Sequence, residues 1–340
     1  MDVSLKRSRK DASDADSPAL PAGARVLVIR LGALGDMVMV SAFLRHLIAL
    51  HGDAGEVTLL TTPQFAPLFS GFDGLTVAAF PRQGFRARLR ALGYIRRGGF
   101  ARVYDLQSNH RTRILVGLSG VPQRVGLWPL WPFTHHPDYG RERPEHIFTR
   151  TNDLLAAVGL PAAPETLNLP VSTEAMQRVA AWRQTQGLEP GRYVLCHAGA
   201  SPIHPEKRWP GFAELAGHLH TTGWQVVWVG GPDDVEVNRT LSTRVGIDAT
   251  SAFTLPELCE LARSAAFAVT NDSAPMHAIA AAGTPVFALF GPTDWRRCHA
   301  VGQRERVLEA PLDPAGRRPL DGLKVESVLS RINAEGFAVV

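Results

Sequence analysis

NDSAPMHAIAAAGTPVFALFGPTD, residues 271–294, is the stretch on which the fold turns. A polar loop feeds a helix of small residues, the buried strand VFALFG follows, and a Gly/Pro turn closes the unit. Asn271, Asp272 and Ser273 are of the types that cap helices, and Ala278 to Ala282 let the helix backbone lie close to a neighbour. The leading N–H groups of such a helix make a natural seat for a phosphate or another anion. An ordinary Ser/Asp cap at the edge of a parallel sheet gives the same local pattern. Two further glycine-rich strand ends tip the balance towards a ligand: RLGALGD at 30–36 and HAGASPIHPEKRW at 197–209.

The same strand–loop–helix unit recurs on both sides of the chain. Upstream, ARVLVIR (24–30), VTLLTT (57–62), LTVAAF (75–80) and ARVYDLQ (101–107) read as strands. Downstream, YVLCHAG (193–199), QVVWVGG (225–231), FAVTND (267–272) and VFALFG (286–291) do the same. Near-continuous apolar runs of this length suit strands covered on both faces. Helical patterns fall at 37–50, 146–158, 172–186, 210–220, 235–245, 253–265 and 325–334. The repetition predicts an α/β chain with two Rossmann-like domains and parallel sheets, not one barrel. A chain of 340 residues is comfortable for two cores. The expected division is a loose tail at 1–24, a front domain at 25–170 ending in the linker-like PAAPETLNLP, a rear domain at 171–320 and a closing helix at 321–340.

With 45% hydrophobic and 20% charged residues the chain reads as globular, and the formal net charge of +4 is modest. Its distribution is not. Arginines stand at 82, 86, 88, 90, 96, 97, 102, 111 and 113, and Asp105 is the one acid between them. Such a field suits an anionic partner, although part of it is explained by solvated helix faces. No recognition helix, zinc finger or RNP motif accompanies it, which argues against nucleic acid. Cys196, Cys259 and Cys298 are widely spaced without a CxxC, so neither a disulfide framework nor a zinc knuckle is expected. His135 and His136 lie in the proline-rich loop 128–147 without a second ligand cluster. No uninterrupted apolar run reaches the roughly 20 residues of a bilayer span, and no signal-peptide core follows the basic start. A membrane-bound substrate would be met from the surface.

Three side chains stand where chemistry is expected. Asp36 follows Gly32 and Gly35 at the first strand-to-helix turn; it suits a helix cap or a carboxylate that accepts a hydroxyl proton. Lys207, after HAGAS, suits a phosphate seat together with Ser201 and nearby N–H groups, or an exposed loop. His277 lies one turn into the organising helix, where structural and catalytic roles fit equally. GGPDDVE at 230–236 offers Asp233, Asp234 and Glu236 for a ribose hydroxyl pair. A nicotinamide dehydrogenase fits poorly, because LGALGD is not GxGxxG.

VLVIRLGALGDMVMVSAFLRHL, HAGASPIHPEKRWPGFAEL, VVWVGGPDDVE and TNDSAPMHAIAAAGTPVFALFGPTD, in this order, resemble the lipopolysaccharide heptosyltransferases, glycosyltransferase family 9, over residues 25–335. The resemblance implies a GT-B architecture, two Rossmann-like domains facing across a cleft. It implies inverting transfer of heptose from ADP-L-glycero-D-manno-heptose to the lipopolysaccharide core, with no metal or other cofactor required. Asp36 would be the general base and Lys207 the lysine that steadies the donor diphosphate. Asp272 would lie beside the donor sugar. Gly199, Ala200 and Ser201 would line the phosphate loop, with Ser273, Ala274 and His277 completing the donor site. Glu236, or Asp233 in its place, would meet the ribose. The segment 82–113 would meet the anionic lipopolysaccharide core, at the cytoplasmic face of the inner membrane through peripheral contact. The chain departs from the family pattern at Ala274, where a glycine is usual, and at His204–Pro205–Glu206. It also lacks the cysteine-rich segment of the iron-containing autotransporter branch. A relative using another nucleotide sugar, for a capsule or outer-core glycan, and a non-catalytic nucleotide- or anion-binding protein are the alternatives.

Overall fold

The computed structural model describes residues 20–21, 23–51, 56–139, 146–167 and 169–338; most of the tail at 1–24 lies outside them. The front domain runs β1 (Arg25–Ile29), α1 (Leu34–His51), β2 (Val57–Thr61), β3 (Leu75–Ala79), α2 (Phe85–Arg97), β4 (Phe100–Asp105), α3 (His110–Gly117) and β5 (Gln123–Val125), followed by α4 (Ile147–Ala156). Its strands are all parallel, in the order β3-β2-β1-β4-β5.

The rear domain begins with α5 (Thr173–Thr185), β6 (Tyr193–His197), α6 (Phe212–Thr221), β7 (Gln225–Gly230), α7 (Val235–Ser242) and β8 (Ile247–Thr250). It continues through α8 (Leu255–Ala262), β9 (Phe267–Asn271), α9 (Ala274–Ala280), β10 (Val286–Phe290), β11 (Val307–Glu309) and α10 (Val325–Ala334). Six parallel strands stand in the order β11-β10-β9-β6-β7-β8. Two such sheets, each between helical layers and facing a common cleft, are the two Rossmann-like domains that the repeated apolar strands predict, in the GT-B arrangement that the resemblance implies.

Alternation along β1 shows why its sequence is apolar throughout. Val26 and Val28 join the core beneath α1, whereas Leu27 and Ile29 pack on the opposite face with Ala91 and Ile95 of α2 and Val116 of α3. The outer layer formed by α2 and α3 therefore lies on the far side of the front sheet from α1. Helix α1 is long and apolar enough, by length and composition, to cross a bilayer. Its Met37 to Leu44 are instead buried, and its contacts are with β2, α4 and the rear-domain helix α9. One continuous apolar cluster runs from β1 and α1 into α8, α9 and β9, so the domains share a core at this seam.

The seam depends on small residues. Ala278, Ala280 and Ala281 are buried in it, as the alanine run suggests. At its edge, a Cβ added to Gly35 would lie 2.7 Å from His277 Cδ2. Three elements were not foreseen: α2, whose arginines mask a buried Ala87/Ala91/Ile95 stripe, and the short edge strands β8 and β11, which carry three or four residues each. Helix α10 packs on α6 within the rear core.

Gly35→Ala is expected to overpack the seam and destabilise the protein by about 1–3 kcal/mol. A urea unfolding midpoint equal to that of the wild type would show that α1 and α9 are not in tight contact.

Candidate active site

Strand register brings the rear-domain groups together. β6 lies between β9 and β7, with His197 beside Thr270, so the loops after all three strands meet at one end of the sheet. Asn271 spans the gap: its Nδ2 donates to the carbonyls of Ala198 and Gly199 (2.9 and 3.0 Å), and its Oδ1 accepts from the Trp209 N–H. It therefore ties the HAGAS loop to the 271–277 turn rather than capping α9. Ser273 occupies the N-cap position but makes no side-chain cap bond. Its hydroxyl instead pairs with His197 Nδ1 at 2.9 Å, and His197 Nε2 faces Asp234 Oδ2 at 3.3 Å.

This Ser273–His197–Asp234 chain was not anticipated. Asp234 is buried at 6% exposure. Burial opposes its charge, but hydrogen bonding and charge from His197, with the Gly231 N–H, hold its pKa below the usual carboxylate value. Two glycines make room for it: a Cβ on Gly199 would stand 1.8 Å from Asp234 Oδ1, and one on Gly230 2.6 Å from Oδ2. Gly199, expected in the phosphate loop, is thus the space that admits the Asp234 carboxylate, and it does not line the cavity. Ala200 and Ser201 do.

Lys207 Nζ contacts Asp272 Oδ2 at 2.7 Å, and Thr293 donates to the same oxygen at 2.8 Å. An ammonium has three donors. With one held by Asp272, two remain for an incoming anion. Asp272 is buried and engaged, so in this structure it anchors the lysine. Cys298 Sγ approaches Asp272 Oδ1 at 3.7 Å; burial, then the Asp272 charge, push its thiol up to about 12, which leaves it inert at neutral pH.

From the front domain, Asp36 reaches the same cavity. Its Oδ2 pairs with the Arg30 guanidinium and accepts the Ala33 N–H, so the cap function and an ion pair coexist at one oxygen. Among the described residues Oδ1 has no hydrogen-bond partner. Arg30, not among the residues expected at the site, is buried at 9% exposure and also donates to the Leu106 carbonyl. A charged residue ending an apolar strand was the available signal. His277 lines the cavity at 4% exposure with its Nδ1 buried and unpartnered among the described residues. Burial lowers its pKa to about 4 despite the nearby Asp272 and Asp36 charges, so at neutral pH it offers a neutral ring.

The cavity enclosed by these groups measures about 640 Å³. Its lining is polar at Asp36, Lys207, Ser273 and His277, which cluster by the loop after β9, and includes the apolar Val229 and Ala249 of β7 and β8 with Phe253, Leu255 and Leu258. Ala249 was invisible in the sequence because β8 was not read, and Phe253, Leu255 and Leu258 were legible only as part of the helical pattern at 253–265. Asp233 lines the wall. Glu236 does not: it lies on the exposed face of α7, paired with Arg239 at 2.7 Å one turn away. Of the three acids offered for a ribose, Asp233 and Asp234 line the cavity, and Asp234 is engaged with His197. Among the described residues no group of three or more His, Cys, Asp or Glu side chains could hold a metal ion.

A second, smaller cavity of about 280 Å³ lies behind Asp36 in the front domain, lined by Arg30, Gln107, Ser108, Trp128, Arg150 and Thr151 among others. The arginines of 82–113 are not among them. Arg102 is buried against Gln123 and Tyr104, Asp105 is buried with Thr112, and the others lie on α2, on α3 and at the turn before α2.

The fold and the cleft define a glycosyltransferase of the GT-B class. The model for glycosyltransferase family 9 (heptosyltransferase) matches residues 88–318, and the chain belongs to that family. It is 24% identical over 311 residues to lipopolysaccharide heptosyltransferase 2 of Escherichia coli (strain K12), covering 84% of this chain and 87% of that protein. A family 9 glycosyl transferase from Veillonella parvula superposes with a TM-score of 0.79 at 21% identity, covering 92% and 96% of the two chains. The structure of E. coli ADP-heptose lps heptosyltransferase II gives 0.71 at 23% identity, covering 91% and 98%.

The seam histidine gives a pH signature. His277 has a pKa of about 4 when folded and about 6.5 when unfolded, so between these values the unfolded chain binds the extra proton. Stability therefore falls as pH drops through this window, by at most about 1.4 kcal/mol per pH unit for this residue. His146, lowered to about 4 chiefly by burial, acts in the same direction, and Asp105, raised to about 6 by burial, acts oppositely. His277→Gln is expected to lose less stability than the wild type between pH 7 and 5, measured by urea unfolding about these values. Parallel curves would place this histidine in contact with solvent.

Proposed function

We propose that this enzyme transfers heptose from ADP-L-glycero-D-manno-heptose to a hydroxyl of the lipopolysaccharide core, inverting the anomeric carbon. The observation that carries the reading is the polarity of the larger cavity. Its apolar lining suits a nucleobase, Asp233 suits a ribose, Lys207 and Ser273 suit the diphosphate, and Asp36 suits a base that serves the sugar. The heptose and the lipopolysaccharide are taken from the two E. coli relatives, lipopolysaccharide heptosyltransferase 2 and ADP-heptose lps heptosyltransferase II.

In the proposed reaction the acceptor hydroxyl attacks the anomeric carbon as the bond from that carbon to the diphosphate oxygen breaks. Asp36 Oδ1 accepts the hydroxyl proton, and ADP departs on the opposite side, which is why the configuration inverts. Charge building on the leaving diphosphate is met by the two remaining Lys207 donors. Ser273 contributes its hydroxyl, oriented by His197, and the Ala274 and Met276 N–H groups add to the seat; Pro275 has none to give. Arg30 fixes the Asp36 carboxylate through its other oxygen. The smaller cavity, sharing Arg30 and adding Arg150, is the proposed seat for an acidic group of the acceptor, placed one residue from the base. No metal is required in this scheme. A lipid-linked acceptor of this kind would be met at the cytoplasmic face of the inner membrane.

Asp36→Asn is expected to bind ADP as the wild type does while turnover, read as ADP release with donor and acceptor present, falls about 100-fold or more. Turnover within a few-fold of wild type would remove Asp36 from the role of base. Asp233→Ala is expected to raise KM for the donor by about 10-fold, the worth of a hydrogen bond to a ribose hydroxyl pair, and Glu236→Ala to leave it unchanged. The reverse pattern in steady-state kinetics would return the ribose to α7.

A further inference from the structure

The outer layer of the front domain carries a feature that the transfer chemistry does not use. Phe85 and Leu89 stand exposed on one stripe of α2, Phe85 at 72% exposure. Ile114 stands exposed on α3 and Leu118 at its C-cap, and Leu130 and Trp131 in the loop after β5, Trp131 at 63%. These groups belong to one surface. Arg96, on the same stripe of α2, donates to the Leu118 carbonyl at 2.9 Å, and Arg113 of α3 donates to the Trp131 carbonyl at 2.9 Å. The Trp131 ring lies over Gly117, where a Cβ would come within 2.3 Å of it, so the loop is seated on α3 with its apolar side chains outward.

The surface is also cationic. Arg82, Arg86, Arg88, Arg90, Arg97 and Arg111 are exposed on α2, on α3 or at the turn before α2. Asp105, the one acid in 82–113, is buried. An array of exposed Trp, Phe and Leu flanked by arginines, with no acid exposed in that segment, matches the chemistry of an anionic bilayer interface. Apolar side chains enter the acyl boundary, and guanidinium groups meet the phosphates. A water-facing protein surface has little reason to expose this much apolar area in one place.

We infer that the α2/α3 face, with the 128–131 loop, docks this enzyme on an anionic lipid bilayer. The placement is productive under the acceptor reading, on which its biological use rests. Trp128 lines the smaller cavity, and three residues later Trp131 lies on α3, so the loop links the docked face to the acceptor seat. A lipid-linked sugar rising from the bilayer beside Trp128 would reach Arg30 and the proposed base without the protein leaving the surface.

The test is co-sedimentation of the full chain with vesicles of phosphatidylethanolamine and phosphatidylglycerol, without donor or acceptor, so its outcome is separate from that of the transfer reaction. Phe85→Ser/Leu89→Ser and Leu130→Ser/Trp131→Ser are expected each to weaken partitioning at least about tenfold. Both should retain wild-type turnover on a delipidated, water-soluble acceptor, which also shows that they fold. Raised salt is expected to weaken wild-type binding, and vesicles of phosphatidylcholine alone to bind less. Wild-type protein that fails to sediment, or apolar variants that sediment as the wild type does, would overturn the inference. So would a wild-type dimer, formed without vesicles and lost in both variants, because the face would then belong to a second copy of the chain.

Discussion

The approach of α1 to α9 is the constraint on which the site depends. Gly35 has no side chain, so the first turn of α1 lies against the His277 ring, and the shared apolar cluster behind them holds the two domains together. Asp36 is the next residue after Gly35, and Asp272 and Ser273 precede His277 by one turn. A single close packing contact therefore sets a front-domain carboxylate opposite a rear-domain cation and hydroxyl. Each ionic group is then held by a partner from its own domain: Arg30 for Asp36 and Asp272 for Lys207. Charges fixed in this way by partners of their own domain are of the kind that stabilises a developing charge most.

Much of the fold was legible because strands buried on both faces must be apolar from end to end. RVLVI, YVLCH, QVVWVG, FAVTN and VFALF show this directly. What escaped were elements whose signal is short or masked. β8 and β11 are edge strands too brief for a pattern, and α2 hides a three-residue apolar stripe among five arginines. At the site, residues on glycine-rich strand ends were easy to single out, and Asp36, Ala200, Ser201, Lys207, Asp272, Ser273, Ala274 and His277 all line one cavity. Contacts made through space were not legible. Nothing local distinguishes Asp234, which bonds His197, from Glu236, which turns to solvent two residues later. Gly199 looked like a phosphate-loop glycine and serves to admit a carboxylate from the neighbouring strand's loop. Phe253 and Leu255, in the turn after β8 and at the start of α8, read as part of a helical pattern and not as a cavity wall.

The charge distribution illustrates the same limit. Nine arginines in 32 residues are one run in the sequence but three populations in the fold. Arg102 is buried between Gln123 and Tyr104; Arg96 and Arg113 fasten α2 to α3 and α3 to the loop; the others face outward. None lines the cavity behind Asp36, where Arg30 and Arg150 supply the positive charge instead. A composition count merges a core residue, structural struts and a surface field that only the layer structure of the sheet separates.

Lys207, aligned by Asp272, and Asp36 line one cavity, and in the proposed reaction the lysine serves the diphosphate. The most direct measurement is calorimetric titration of ADP into the wild type and Lys207→Ala. Loss of a charge-assisted contact worth about 1.5–3 kcal/mol should weaken ADP binding by roughly 10- to 100-fold. Equal affinity in the two proteins would contradict the claim, because the lysine would then face something other than a nucleoside diphosphate.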